Sequence, residues 1–542
     1  MRRTLSLAEI AVIIVLALIP TFATFPYRIN IFLSWEGAYR IAEGQIPYKD
    51  FGMPVGYMYW VIPAFFFKLF GAKLITLIKA QAFINILGGL AFRSILGSAE
   101  VRQPLRFAGV LLFCLSFSFL NYWPWYNHTV IIYELIGLAF LMQYFFPSYI
   151  RLRYVFVSLA GVFIFFSFFT KQDAGALGFL ICVVLLAYDS VVRKQWMGIT
   201  LFLLSFLLTA IAMTLPLPST GMTYWFNHGQ APHSSRISIS HILSEFLGAS
   251  QWIKFYLAAI ILLLWARINA DKTLLRNHVF VIFSLLTLGI LAEAAIFQVT
   301  SYVPQDNNIF FHSFAAVFLV WLLMPLLHLN VNNWKGAAFF AAAVMLWWSP
   351  VFWRYIERFV LRPDAVATNY IAHDGYKYAT TVNKNTYMIE LDTTDIPMDQ
   401  WRVPSLQSFE KILLPGPTVD GIERLMSDTM FKNKSGLKVL NMTELTPLAK
   451  EMQFELERGP DYPLWFHKGV GMFEKETNMF VDRIESNHYD LVLFEYIPYL
   501  NNFYPYEVRD ALKKHYKLKD RFPAPRKPAS HAFIEVYVPN RQ

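Results

Sequence analysis

The chain has 542 residues, 56% of them hydrophobic and 16% charged, with a mean hydropathy of +0.39. A soluble domain carries about a quarter charged residues, so a wholly water-solvated globule is excluded and lipid must be the solvent for much of the chain. The net charge of +9 raises nucleic acid as a partner, but basic loops on one side of a membrane account for it, and no nucleic acid is expected.

The N-terminus, "MRRTLSLAEIAVIIVLALIPTFATF", joins a basic start to an apolar run. It has the look of a signal peptide, with "TFA" as a cleavage site, but the run is long enough to span and is read as a retained first helix. Apolar stretches of roughly spanning length follow the chain at 8–26, 74–96, 105–122, 129–147, 154–170, 175–189, 197–216, 251–266, 278–298, 309–328 and 335–352, or about eleven crossings. The apolar piece 56–70 is interrupted by Pro63 and Lys68 and reads as juxtamembrane or re-entrant. Cys114 and Cys182 both lie inside apolar runs and read as packing residues.

Loop charge sets the orientation. Counted this way, the loops on the starting side hold Arg2, Arg3, Arg93, Arg102, Arg106, Arg151, Arg153, Arg193, Lys194, Arg267, Lys272, Arg276 and Lys335. The opposite loops "NYWPWYNH" and "SYVPQDNN" carry no Lys or Arg. The positive-inside rule puts the N-terminus in the cytoplasm and everything after the last span outside. The expected fold is therefore a polytopic α-helical membrane domain over 1–353, followed by a soluble extracytoplasmic domain over 354–542.

On this topology the long loop 27–73 is extracytoplasmic. From Ser34, a candidate N-cap, to Gly44, a candidate stop, it reads as a short amphipathic helix. Trp35, Ala38, Tyr39 and Ala42 share one face, and Glu36, Arg40 and Glu43 share the other, with its carboxylates towards water. "PYKDFGMPVG" follows as an irregular turn that presents Asp50. A carboxylate at a membrane interface can act as general base on an acceptor hydroxyl. It can equally pair with Arg40, as Glu36 could, or cap a turn, as Asp50 could.

"WEGAYRIAEGQIPYKDFGMPVGYMYWVIPAFFFKLFG" resembles the first extracytoplasmic loop of GT-C glycosyltransferases, the group that includes protein O-mannosyltransferases and the lipid A aminoarabinose transferase. Glu36, Tyr39, Gly44, Pro47, Tyr48, Asp50, Phe51, Pro54 and the run Lys68 to Gly71 fit its pattern. The family's first acid, usually its proposed base, falls here on Trp35, so the role passes to Glu36 first or Asp50 second. Tyr39 and Tyr48 would line the substrate site. The resemblance implies a GT-C-like fold and a polyprenyl-phosphate sugar as donor, which leaves no need for a nucleotide site.

Other segments suit that chemistry. "NYWPWYNH" offers Tyr126, Asn127 and His128 to sugar hydroxyls. "FFTKQDAGALG" offers Lys171 as a point charge for phosphate, with Gln172 and Asp173 beside it. Lys171 can also simply pair with Asp173 or snorkel. Arg236 is a second phosphate candidate in the loop 223–246. Its His228, His233 and His241 match no single-helix ligand spacing, so no metal site is expected, although isolated outer carboxylates would also fit a divalent cation. Gln305 and Asp306 suit sugar hydroxyls.

After residue 354, "GLKVLNM", "YDLVLFEYI" and "HAFIEVYV" read as strands, with helices over "GVGMFEKETNMFVDRIESN" and "EVRDALKKHY" between them. That order implies a small α/β domain with a partly parallel sheet. Trp465, His467, Tyr499, Asn501 and Tyr504 sit in its aromatic connections and could face a glycan.

The sequence thus points to transfer of a sugar onto an extracytoplasmic glycan, lipid or protein at the inner (cytoplasmic) membrane. The alternatives are a non-catalytic transporter or flippase of glycolipids, for which Glu134, Glu245 and Glu293 are the few intramembrane charges, and a polysaccharide polymerase or ligase.

Overall fold

The computed structural model describes residues 2–27, 31–119, 122–147, 149–217, 219–226, 239–248, 250–301, 309–327, 334–347, 349, 353, 396, 400–432, 434, 436–466, 468, 471–497, 503–525 and 532–540. Arg236, Gln305, Asp306 and His467, together with His228, His233, Tyr499 and Asn501, lie outside the described residues. The chain divides into two compact units: one gathers 1–20, 82–216 and 235–356, the other 21–81, 217–234 and 357–542.

The helices in chain order are α1 (Arg2–Leu18), α2 (Ile31–Ala42), α3 (Met58–Phe70), α4 (Leu74–Ser98), α5 (Gln103–Cys114), α6 (Tyr126–Phe145), α7 (Arg153–Phe168), α8 (Gln172–Arg193), α9 (Met197–Thr214), α10 (Ser219–Phe226), α11 (Ile239–Gly248), α12 (Gln251–Ala270), α13 (His278–Ser301), α14 (Ile309–Leu326) and α15 (Trp334–Trp347). Among the described residues, eight helices are long and apolar enough to cross a membrane. The remaining expected spans fall on the shorter apolar helices α5, α14 and α15. The first expected span, 8–26, differs in its end: α1 stops at Leu18 and passes into a single 3-10 turn, Ile19–Phe22. Pro20 has no N–H to continue the ladder. Segment 56–70 forms α3, whose 13 residues extend about 20 Å, short of a hydrocarbon core of about 30 Å.

In the first unit, two buried carboxylates collect cations from separate loops. Glu9 binds Arg93 at 2.7 Å and Arg106 at 2.9 Å. Asp189 meets Arg193 at 2.8 Å, His278 at 2.9 Å and Arg153 at 3.7 Å. The arginines are those that loop charge assigned to one membrane side, so each cluster ties the ends of neighbouring helices at one level. Buried ions of this kind are tolerated only when paired.

In the second unit, strands β4 (Leu437–Met442), β5 (Phe454–Glu455), β6 (Leu491–Tyr496), β7 (Tyr516–Pro523) and β8 (Phe533–Pro539) build a five-stranded sheet in the order β5-β4-β6-β8-β7. The β4–β5 and β4–β6 pairs are parallel, and β8 pairs antiparallel with β6 and β7. This is the partly parallel sheet expected, with α16 (Phe473–Glu485) and α17 (Tyr506–His515) between the strands. The sequence did not announce β7. Its Lys517, Lys519, Asp520 and Arg521 read as solvated loop, but such charges are what a sheet edge carries. A second sheet, β1-β3-β2, pairs Phe25–Pro26 (β1) with Ile412–Pro415 (β3), which in turn pairs with Trp401–Arg402 (β2).

Candidate active site

Helix α2 begins at Ile31, ahead of the expected N-cap Ser34, and Gly44 ends it with φ +83° as expected. Its polar face is only partly open to water: Glu43 is exposed and Glu36 half-buried, but Arg40 is buried. Arg40 is 2% exposed, with Glu457 and Tyr462 packed over it. Arg40 Nε and Nη2 donate to Glu36 Oε1 at 2.9 and 2.8 Å. Its Nη1 donates to Gln45 Oε1 at 2.9 Å and to the Glu457 carbonyl at 2.8 Å. The guanidinium also rides 4.8 Å from the Tyr462 ring and 5.6 Å from Phe51. Burial alone would lower the Arg40 pKa, but Glu36, Tyr462 and Glu457 together raise it and keep the cation charged.

Two clefts flank this helix. The first is lined by Glu36, Asn441, Thr443, Tyr462, Trp465 and Tyr504, among others, and has a cavity volume of about 70 Å³. The structure therefore brings the candidate base Glu36 and the candidate sugar-stacking Trp465 to one place, although over 400 residues of chain lie between them. The second cleft holds Tyr39 and Glu43 against Lys438, Glu457, Arg483 and Tyr489. Burial and the charge of Glu43 push the Tyr39 hydroxyl up to about 12, so it acts only as a neutral hydrogen-bonding group.

The remaining first-loop candidates hold the turn. Asp50 Oδ2 accepts the Ile46 N–H at 2.7 Å, and the Asp50 carbonyl accepts from Gly459 at 2.8 Å. Asp50 lines neither of the two clefts. Tyr48, expected to line the substrate site, is fully buried at φ +66°, and its hydroxyl donates to the Val55 carbonyl at 2.7 Å. Gly52 accepts from Leu464 at 2.9 Å and donates to Tyr462 at 2.7 Å. A Cβ at Gly52 would stand 2.3 Å from the Tyr224 ring, so only glycine lets these segments close.

Tyr224, on α10, donates its hydroxyl to Glu476 and to the Asp461 carbonyl. Sequence reading passed over both residues, since nothing local marks a tyrosine and a carboxylate 252 positions apart as partners. Burial raises Glu476 to about 7 from an ordinary 4.5. The folded state thus holds this proton more tightly than the unfolded chain does. The associated stability is fully present below about pH 4.5 and is lost as pH rises through 7, an effect of about 3 kcal/mol at most. We expect the melting temperature to fall between about pH 5 and pH 8, and Glu476→Gln to flatten that fall. An unchanged slope in the variant would contradict this assignment.

In the first unit, Lys171 precedes α8 in extended conformation and is 4% exposed. Its Nζ donates to Asp173 at 2.9 Å and lies 5.0 Å from the Phe297 ring. Gly175 shapes this corner, for a Cβ there would stand 2.3 Å from the Phe168 backbone. Gln172 opens the helix. Tyr126, Asn127 and His128 form the first turn of α6, with His128 3% exposed. Asn127 Oδ1 is buried and has no donor among the described residues, which makes it an acceptor open to a ligand hydroxyl.

The same unit contains an apolar groove with a cavity volume of about 760 Å³, lined from α5, α12, α14 and α15 by residues such as Leu112, Trp252, Phe255, Val317 and Val344. Gln251 and His312 add polar atoms to its wall. Among the described residues, no three His, Cys, Asp or Glu side chains gather as a metal would require.

No family model and no curated protein matches the chain. Solved structures do resemble it. ArnT from Cupriavidus metallidurans in the apo state aligns at 14% identity and TM-score 0.42, covering 64% of each chain. The same protein bound to undecaprenyl phosphate aligns at 16% identity and TM-score 0.39, over 64% of this chain and 65% of that one. The Archaeoglobus fulgidus oligosaccharyltransferase, in complex with Zn and sulfate, aligns at 11% identity and TM-score 0.40, over 64% of this chain and 52% of that one. The chain thus spans just under two thirds of the ArnT chain and about half of the oligosaccharyltransferase. These likenesses, with TM-scores from 0.39 to 0.42, assign no residue of this chain a role.

Proposed function

We propose that the chain is an integral membrane glycosyltransferase that moves a sugar from a polyprenyl-phosphate donor to an extracytoplasmic acceptor. The observation that carries this reading is the first cleft, where the Glu36 carboxylate shares walls with Trp465, Tyr462, Asn441 and Thr443. Aromatic faces beside hydroxyl and amide groups suit a sugar, and a fixed carboxylate suits removal of its hydroxyl proton. Glu36 takes that proton as the acceptor oxygen attacks the anomeric carbon. The bond from that carbon to the phosphate oxygen breaks, and the electron pair leaves with the polyprenyl phosphate. In the first unit, considered by itself, Lys171 is the candidate cation for a phosphate, Asn127 a candidate acceptor for a sugar hydroxyl, and the apolar groove a candidate for a prenyl chain. The membrane is the inner one, with the N-terminus in the cytoplasm and the C-terminal residues outside, as the one-sided loop cations indicate.

Lipid extracts from cells with and without the chain test this by mass spectrometry. Loss of the chain should make one polyprenyl-phosphate sugar accumulate while its glycan product disappears, and unchanged pools of every such lipid would refute it. A glycolipid carrier is favoured by one observation, the meeting of Glu134 and Glu293 within the bundle. A carrier would alter the leaflet in which the lipid-linked sugar is found and leave its total unchanged.

A further inference from the structure

The first unit buries two carboxyl groups that the transfer reading does not use. Glu134 lies a little over two turns into α6, and Glu293 as far before the end of α13, so each sits about 12 Å along its helix from that end. Both are 1% exposed. Their side chains meet within hydrogen-bonding reach, and none of the four carboxyl oxygens has a donor among the described residues. Helix α8 backs them both. A Cβ at Gly178 would stand 2.7 Å from Glu134 Cδ, so glycine makes the room for this carboxyl. Cys182, one turn further along α8, lies within electrostatic reach of both acids, and Asp173 at the start of α8 within reach of Glu293. Asp173 in turn accepts from Lys171 at 2.9 Å.

Two ionised carboxylates are acceptors only and cannot bond to each other. A single proton between them supplies the missing donor and removes the clash of like charges away from water. Ionisable groups held inside a helical bundle in lipid commonly mark paths for ions or protons. We propose that Glu134 and Glu293 form an intramembrane proton-binding site, holding one exchangeable proton between them and linked through Asp173 to an anionic lipid phosphate at Lys171. The site itself is independent of the transfer reading; only the linkage rests on Lys171 as the phosphate residue. A phosphate that draws Lys171 away from Asp173 leaves that carboxylate less compensated, and its charge, felt at Glu293, strengthens the hold on the proton. By reciprocity, the proton strengthens the hold on the phosphate.

Infrared difference spectroscopy of the full-length protein in lipid near neutral pH, with Glu476→Gln present in every sample to remove that half-protonated carboxyl, tests the site. The wild type should show a carbonyl band of a protonated carboxyl that shifts in heavy water, and the Glu134→Gln/Glu293→Gln double variant should lose it while melting no lower than wild type. A wild type without the band, or a double variant that keeps it, overturns the site. Proton uptake from weakly buffered solution tests the linkage, read as wild type minus double variant so that the ligand's own ionisation cancels. Undecaprenyl phosphate should draw in up to about one proton per lipid bound, and inorganic phosphate at equal concentration none. Uptake with inorganic phosphate overturns the lipid assignment, and uptake with neither overturns the linkage. Failure of the lipid to bind at all would count against Lys171 while the carbonyl band still decides the site.

Discussion

Glu36→Gln lowers sugar transfer by about a hundredfold to ten-thousandfold, the range for removal of a positioned general base, while the protein still folds. The amide oxygen continues to accept from Arg40 Nε, so the geometry of the cleft survives and the basicity does not. Asp50→Asn is the informative companion, because the Asp50 side chain accepts the Ile46 N–H within its own turn. An asparagine oxygen can do the same, so that variant should keep most of its activity. Initial rates in membranes with matched protein levels measure both. Near-normal transfer by Glu36→Gln together with loss in Asp50→Asn would reverse the order of the two acids.

Arg40→Met destabilises the second unit by about 3 kcal/mol, the lower end for breaking a buried ion pair. The side chain of Glu36 is 15% exposed and can recover water, which keeps the penalty from being larger. The Gln45 side chain and the Glu457 carbonyl lose their shared donor at the same time. Arg40→Lys keeps the charge but not the fork of donors, so it should fall between the two. Thermal melting of the purified full-length protein measures the series, and an Arg40→Met variant that melts with wild type would show that the latch adds nothing.

The membrane helices were legible because an apolar run of spanning length has few alternatives in lipid. Gly44 was legible as a helix stop for a local reason: it sits at positive φ, where glycine is unstrained, as Gly71 also does after α3. The first loop was legible in outline and misjudged in burial. Helical spacing placed Glu36, Arg40 and Glu43 on one face, but spacing is blind to the strand-and-loop segment near residue 457 that closes over Arg40. For the same reason Glu36 and Trp465 could each be singled out, while their meeting in one cleft depends on folding. Glu134 and Glu293 stood out as rare charges in apolar helices, and only packing against Gly178 shows that they converge. Glu9 and Asp189 left no such mark, since a lone acid at a helix end reads as a solvated residue until its arginines arrive.

The most direct test uses the purified protein in liposomes made from the total lipid of its own host, with the acceptor fraction added outside. Mass spectrometry then follows polyprenyl-phosphate sugars and free polyprenyl phosphate over time. The account predicts that one lipid-linked sugar declines as polyprenyl phosphate and a glycosylated product rise together, and that Glu36→Gln stops all three changes. Active wild-type liposomes in which no lipid-linked sugar declines, or in which Glu36→Gln matches wild type, would contradict it.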